Sequence, residues 1–152
     1  MNHLTKLTLS VTLFMFSMTL AWSENPYEQS SLKNYFYFAI PNYQTQRQGG
    51  QSVNIYVKYA YKQGLPTASY VDYRLMRKEI LEYMEPSAEY PSPTFWEIIA
   101  AQMGKRMMED YPIEGVSVQL EVLDNPNPQA YEPGNHGPIY TLGKIEPIAN
   151  LH

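Results

Sequence analysis

The stretch from Ser52 to Lys62, SVNIYVKYAYK, is the strongest secondary-structure signal in the sequence. Its residues alternate between an apolar and a more polar set, with Val53, Ile55, Val57 and Tyr59 set against Asn54, Tyr56 and Lys58. A period of two predicts a strand that turns one face toward a hydrophobic core. The pair Gly49-Gly50 just before it predicts a tight turn back to the preceding segment.

Further strands are predicted on either side of this one. Residues 32–40 alternate in the same way, and we expect that strand to end at Pro41, because proline cannot donate a hydrogen bond to a sheet. The segment 41–51 is therefore predicted to be a loop. Residues 115–123 alternate Val and Leu with polar residues, and residues 139–145 predict a last short strand.

Two helices are predicted between the strand pairs. Asp72 can cap the first, whose apolar residues recur at helical spacing: Leu75, Met76, Ile80, Tyr83 and Met84. The second runs from Thr94 to about Asp110, and its apolar side carries Trp96, Ile99, Ala100, Met103 and Met107. The order β-β-α-α-β-β favours an α+β fold, with a four-stranded antiparallel sheet and both helices on one face.

The first 23 residues have the pattern of a cleaved export signal: Lys6, then an apolar run to Leu20, then Ala21-Trp22-Ser23. Because the run is short for a transmembrane helix, we expect cleavage after Ser23 and no membrane span afterwards; an uncleaved anchor is the alternative. Residues 24–31 are predicted to be a flexible lead-in, 32–146 a single domain and 147–152 a tail. The expected location is the periplasm or the extracellular space.

The composition excludes several classes of function. The chain has no cysteine, so it forms no disulfide, no thiolate metal site and no lipid anchor on cysteine. It has 11 Lys and Arg against 15 Asp and Glu and no basic cluster, so nucleic acid is not an expected partner. No HExxH motif or pair of neighbouring histidines occurs, and we predict neither a metal nor a cofactor.

Three stretches together resemble the dihydroneopterin aldolase family of the tunnelling-fold (T-fold) group. They are GGQSVNIYVKYAY at 49–61, ASYVDYRLM at 68–76 and PTFWEIIAAQMGKRMMEDYPIEGVSVQLEV at 93–122. Their order and spacing, over nearly the whole chain after residue 23, carry the resemblance. It implies a T-fold whose sheet closes into a barrel with the sheets of other subunits, and a pocket for a pterin.

The resemblance also assigns candidate ligand-binding residues. Glu97 matches the glutamate that accepts hydrogen bonds from the amino group and the ring N–H of a pterin, a contact favoured by two parallel donors. Tyr73 matches a tyrosine that takes part in the family's chemistry. Gln46 falls where the family has a glutamate, in the loop before Gly-Gln. The family's lysine at the end of the third strand falls on Leu123 or Asn125, depending on how the prolines are aligned.

These departures from the family pattern argue against aldolase activity. Retro-aldol cleavage requires groups that transfer protons, and the side chains of glutamine, leucine and asparagine have no useful pKa. The prediction is therefore a catalytically degenerate T-fold without an assigned catalytic residue. Tyr73 would be catalytic only if the protein were active.

Glu97 also has a purely structural interpretation. Thr94-x-x-Glu97 matches a capping box, in which the threonine hydroxyl binds the Glu97 N–H and the carboxylate reaches back to the Thr94 N–H. A capping role would account for this glutamate without any ligand. The sequence alone leaves both interpretations open.

Three functional hypotheses follow. The first is an exported, non-catalytic interaction or structural subunit of an envelope-associated assembly, for example of the secretion type, present as a homo-oligomer or in a larger complex. Its 14 tyrosines, many on predicted strands, suit an interface. The second is a periplasmic protein that binds a pterin or a purine-like ring. The third is an active dihydroneopterin aldolase or epimerase.

Overall fold

The protein is described by a computed structural model over residues 35–123 and 134–149. The elements follow the predicted order, and their bounds are β1 Tyr35–Thr45, β2 Gln51–Tyr61, α1 Tyr73–Met84, α2 Trp96–Asp110, β3 Ile113–Val122 and β4 Ile139–Gly143. The four strands form one antiparallel sheet in the order β1-β2-β3-β4. The predicted export signal, the lead-in 24–31 and Asn125 lie outside the described residues.

The hydrophobic core lies between one face of the sheet and the two helices. The buried residues of the two central strands pair directly, with Val53, Ile55, Val57 and Tyr59 opposite Val122, Leu120, Val118 and Val116. The helices cover them with Met76, Ile80 and Met84 of α1 and with Trp96, Ile99, Ala100, Met103 and Met107 of α2. Burial of each large side chain contributes roughly 1.5–3 kcal/mol. The predicted α+β fold, with both helices on one face, is confirmed.

Strand β1 continues past Pro41, so the expected end of the strand at that residue is wrong. The pairing of β1 with β2 shifts register between Ile40 and Tyr43, which is a β-bulge. Within the bulge the Asn42 N–H donates to the Asn54 side chain at 2.9 Å. Because β1 has a partner on one side only, Pro41 has no second strand to which it would have to donate. The connection to β2 is accordingly short.

Helix α1 begins as predicted, with Asp72 as its N-cap accepting a hydrogen bond from the Arg74 N–H at 3.0 Å. Its buried side is narrower than the sequence suggested, because Leu75 is exposed to solvent. Leu75 precedes the buried Met76 by one residue, which places it about 100° away around the helix.

Helix α2 lies unusually close to the sheet at Gly104. A Cβ atom at this position would stand 2.8 Å from the ring of Tyr140 on β4 and 3.6 Å from the Val116 side chain. Real Cβ atoms do not approach other heavy atoms below 3.0 Å. The absence of a side chain at residue 104 therefore sets how closely helix and strand can pack.

Residues 144–149 cross the other face of the sheet. The Ile148 N–H donates to the Ser117 hydroxyl at 3.1 Å, and Lys58 donates to the Glu146 carbonyl at 3.4 Å. Since Ser117 alternates with the core residues of β3, these contacts lie on the face away from the helices. Ile148 is buried there, so packing against the sheet continues beyond residue 146, where we predicted the domain to end.

Among the described residues, no helix has the length and apolar character of a membrane span.

Candidate functional site

Helix α2 begins at Trp96, and no side chain caps its first turn. Phe95 occupies the N-cap position, and Thr94 lies outside the helix. The Thr94 N–H donates instead to the Pro91 carbonyl, at 3.0 Å. The predicted capping box of Thr94 and Glu97 is therefore wrong, because the helix starts one residue later than that motif requires.

Glu97 lies in the first turn of α2 and is exposed. Its carboxylate forms no hydrogen bond or ion pair with any of the residues that the structure describes. The neighbouring residues Phe95 and Ile98 are 69% and 43% exposed, so the chain on either side of Glu97 presents apolar side chains to solvent. A carboxylate with both oxygens open, at the positive end of a helix dipole, suits a ligand with two parallel N–H donors and an apolar ring.

The turn between β1 and β2 holds the start of α2 in place. The Gln48 N–H donates to the Ser92 hydroxyl at 3.0 Å, and the Gln48 side chain donates to the Thr94 carbonyl at 3.3 Å. The Trp96 indole N–H donates to the Gln51 side chain at 3.2 Å. Hydrogen bonds between this turn and the residues around the start of α2 thus fix the position of the helix end.

Gln46 and Leu123, the latter being one of the two residues predicted to match the family's lysine, lie at the same end of the sheet. Gln46 is exposed, and its backbone carbonyl accepts a hydrogen bond from the Ser92 hydroxyl at 3.3 Å. Leu123 follows β3, and its N–H donates to the Ser52 carbonyl at 2.9 Å. We call this end the loop end, comprising residues 45–53, 83–97 and 123. Neither Gln46 nor Leu123 supplies it with a group that titrates near neutral pH.

Arg47 is the residue of the loop end that sequence reasoning missed. It is fully buried, and its guanidinium donates four hydrogen bonds of 2.7 to 3.1 Å to backbone carbonyls, those of Tyr83, Glu85, Tyr90 and Pro91. Among the described residues no carboxylate lies within ion-pair distance of it. Two of the acceptors are at the C-terminus of α1, where backbone carbonyls lack helical partners and attract a cation.

The charge of Arg47 persists despite this burial. Burial lowers the pKa of its guanidinium, and the nearby Glu85 carboxylate acts in the opposite direction. Because the ordinary pKa of arginine is above 12, the group stays protonated. The sequence did contain one signal, since Arg47 is the single charged residue between positions 34 and 57.

Tyr73 lies at the opposite end of the sheet from Glu97. Its ring packs on Phe36 and Phe38, with centroids 5.4 and 5.7 Å apart. Further ring contacts connect Phe36 with Tyr59, Tyr59 with Tyr61, and Tyr61 with Tyr70. We call these six rings the aromatic end. Helix α1, about 18 Å long at 1.5 Å per residue, runs from the aromatic end to the loop end.

Of the three predicted ligand residues, the structure thus brings Gln46 and Glu97 to one end of the sheet and Tyr73 to the other. A single chain does not gather all three around one ligand. In the part of the chain that the structure describes, no three His, Cys, Asp or Glu residues form a cluster that could hold a metal ion.

Comparison with solved structures identifies the fold. The chain is similar to a dihydroneopterin aldolase from Burkholderia thailendensis bound to guanine, with a TM-score of 0.51 and 16% identity over 73% of this chain and 93% of that one. It is similar to a dihydroneopterin aldolase of Vibrio cholerae, with a TM-score of 0.51 and 15% identity over 72% and 98%. The predicted T-fold of the dihydroneopterin aldolase type is confirmed.

An archaeosine synthase QueF-like protein in the apo form also aligns, with a TM-score of 0.47 and 9% identity over 74% of this chain and 96% of that one. Neither a family model nor a curated protein matches the sequence.

Proposed function

We propose that this protein is an exported, non-catalytic T-fold subunit that binds a planar heterocycle of the guanine or pterin type at Glu97. The observation that carries the proposal is the exposed Glu97 carboxylate, which has no partner among the described residues and no capping role. Guanine and pterins present an amino group beside a ring N–H, which two carboxylate oxygens can accept together. The similar fold of a guanine-bound dihydroneopterin aldolase supports this ligand class.

Binding without turnover agrees with the side chains at the loop end. The resemblance puts Gln46 at the family's glutamate and Leu123 or Asn125 at its lysine, and none of these side chains can transfer a proton. The ligand would therefore be held and released unchanged.

The separation of Tyr73 from Glu97 bears on how the site is completed. Because the two residues lie at opposite ends of one sheet, Tyr73 can contact a ligand at Glu97 only if a second copy supplies it. Homo-oligomeric assembly is thus part of the proposal, and the expected periplasmic location follows from the export signal predicted in the first 23 residues.

Thermal unfolding and calorimetry with guanine test the ligand site. We expect guanine to raise the Tm, because a ligand that binds the native state alone stabilises it, and Glu97→Gln to remove the shift. Glu109→Gln is the matched control, since Glu109 is an exposed glutamate near the other end of α2, and it should keep the shift. No shift with guanine or a pterin, or equal loss in both variants, would reject the proposal.

A second candidate is the interaction subunit of an envelope assembly. The observation that favours it is the exposed start of the edge strand β1, where Tyr35, Phe36 and Tyr37 are 37% to 44% exposed. Exposed aromatic residues on an edge strand suit pairing with another chain. Co-purification from envelope fractions tests it, and a Tyr37→Glu variant should lose the partner.

Enzyme assays separate both candidates from an active aldolase or epimerase. Turnover of dihydroneopterin that is lost in Tyr73→Phe would replace the proposed binding function. Lack of turnover, together with guanine binding, is the expected result.

A further inference from the structure

The start of α2 owes its position to contacts outside the helix. No side chain caps it, and the segment Tyr90–Thr94 before it has no regular secondary structure. A carboxylate accepts hydrogen bonds from two parallel donors only when the backbone of its residue is fixed, because such contacts tolerate little misplacement. Something other than helix capping must therefore hold Glu97 in place.

Arg47 is the buried group that fixes this segment. Its guanidinium donates to the Tyr90 and Pro91 carbonyls from one side and to the Tyr83 and Glu85 carbonyls from the other. The Pro91 carbonyl in turn accepts the Thr94 N–H, two residues before Trp96. One side chain thus connects the end of α1, the segment before α2 and the β1–β2 turn.

We propose that Arg47 is the positioning residue of the Glu97 site, holding the first turn of α2 where the carboxylate can meet a planar heterocycle. The binding part of this inference rests on the proposed function, whereas the positioning of α2 does not. Arginine is suited to the task because its planar fork offers five N–H donors in fixed directions. Lysine would supply charge at one point and could not reach carbonyls on both sides.

The fluorescence of Trp96 reports on the position of the first turn of α2. The chain has two tryptophans, and Trp22 lies in the predicted export signal, so a Trp22→Phe background leaves Trp96 as the single reporter even where that segment is retained. Trp96 is buried, and its indole binds Gln51 of the same turn region. In this background we would compare Arg47→Gln and Arg47→Lys with Ile80→Ala, at a temperature where circular dichroism shows each protein folded.

We expect both Arg47 variants to shift Trp96 emission to longer wavelength and to raise its quenching by acrylamide. Their Kd for guanine should rise about tenfold, since support of a ligand-binding side chain is lost. Ile80→Ala, which opens a cavity under α1, should lower stability yet leave Trp96 emission unchanged and the Kd unaltered. Arg47 variants that lose stability but match Ile80→Ala in emission and quenching would overturn the inference.

Should Arg47→Gln fail to fold, Gln48→Ala removes an exposed donor to the Thr94 carbonyl and should raise Trp96 quenching by a smaller amount. Unchanged quenching in both Gln48→Ala and Arg47→Lys would count against positioning. If wild-type protein does not bind guanine, the ligand proposal fails, and the fluorescence of the Arg47 variants still decides whether Arg47 positions α2.

Discussion

The two ends of the sheet are stabilised by different kinds of contact. At the loop end, the buried guanidinium of Arg47 and the Gln48 amide donate directional hydrogen bonds to backbone carbonyls. At the aromatic end, rings pack on one another, as Tyr61 does on Tyr70 with centroids 4.3 Å apart. Hydrogen bonds depend on both angle and distance, whereas ring packing tolerates small shifts. The loop end is therefore suited to holding a carboxylate at a fixed place, and the aromatic end to adapting to another surface.

The largest effect is expected from Arg47→Met, which removes the directional hydrogen bonds of the loop end. The variant keeps much of the side-chain volume but leaves four buried carbonyls without their donors, so we expect a loss of about 3–5 kcal/mol in the free energy of unfolding. Urea denaturation measures it, with Arg77→Met on the exposed side of α1 as the control, expected to change stability by less than about 0.5 kcal/mol. Similar values for both variants would mean that the polar contacts of the loop end add nothing.

At the aromatic end, Tyr59→Leu should lower the free energy of unfolding by less than Arg47→Met does at the loop end. Tyr59 is fully buried and its ring contacts Phe36 and Tyr61, so losing it removes two ring contacts and leaves a small cavity, about 2 kcal/mol in total. Tyr59→Phe keeps the ring and loses only a long hydroxyl contact of 3.3 Å to Tyr61, for a cost below about 1 kcal/mol. Equal losses in the two variants would show that the hydroxyl, not the ring, stabilises this end.

The Tyr43→Phe variant tests a polar contact of the loop end through the pH dependence of its stability. The Tyr43 hydroxyl donates to the Glu85 carboxylate at 2.7 Å, and its removal should cost about 1 kcal/mol at neutral pH. Burial, and then the bond to Glu85, raises the pKa of Tyr43 from 10.0 to about 12. The contribution is thus complete below pH 10 and is lost as the pH rises through 12. The stability difference between wild type and Tyr43→Phe should shrink over that interval, and a constant difference would contradict the prediction.

The smallest effect is expected from Asp72→Asn at the start of α1. Hydrogen bonds from Arg74 hold the pKa of the exposed Asp72 carboxyl at about 2. Its stabilising contribution is present above the ordinary pKa of 3.8 and is lost as the pH falls toward 2. Because asparagine caps helices about as well, the Tm at pH 7 should change little, and thermal scans should show wild type losing stability relative to Asp72→Asn as the pH falls from 3.8 toward 2. A large Tm loss at pH 7 would contradict this.

The sequence predicted the elements whose residues repeat regularly. The buried side of α2, from Trp96 to Met107, was predicted except for Gly104, because a helix that packs on a sheet must repeat its apolar side every three to four residues. The order of the elements, together with the three stretches that resemble the dihydroneopterin aldolase family, was enough to predict the T-fold.

What the sequence did not predict depends on contacts between distant segments. Arg47 lies in a polar loop, where a charge is ordinarily solvated, and its acceptors come from residues 36 to 44 positions further along the chain. The capping box failed because α2 begins one residue later than the motif requires, and the start of the helix is held by the Gln48 side chain, which donates to the Thr94 carbonyl, and by Gln51, which accepts from the Trp96 indole. The separation of Tyr73 from Glu97 follows from the direction in which α1 crosses the sheet, which no local pattern contains.

Gly104 has a consequence for how this sequence can change over evolutionary time. Since a Cβ at residue 104 would meet the Tyr140 ring at 2.8 Å, a larger residue at 104 requires the Tyr140 side chain to shift or to be replaced by a smaller one. An alanine at 104 fits without such a shift only beside a smaller residue at 140. Among relatives of this chain, the two positions should therefore show correlated substitutions, so that size lost at one is gained at the other.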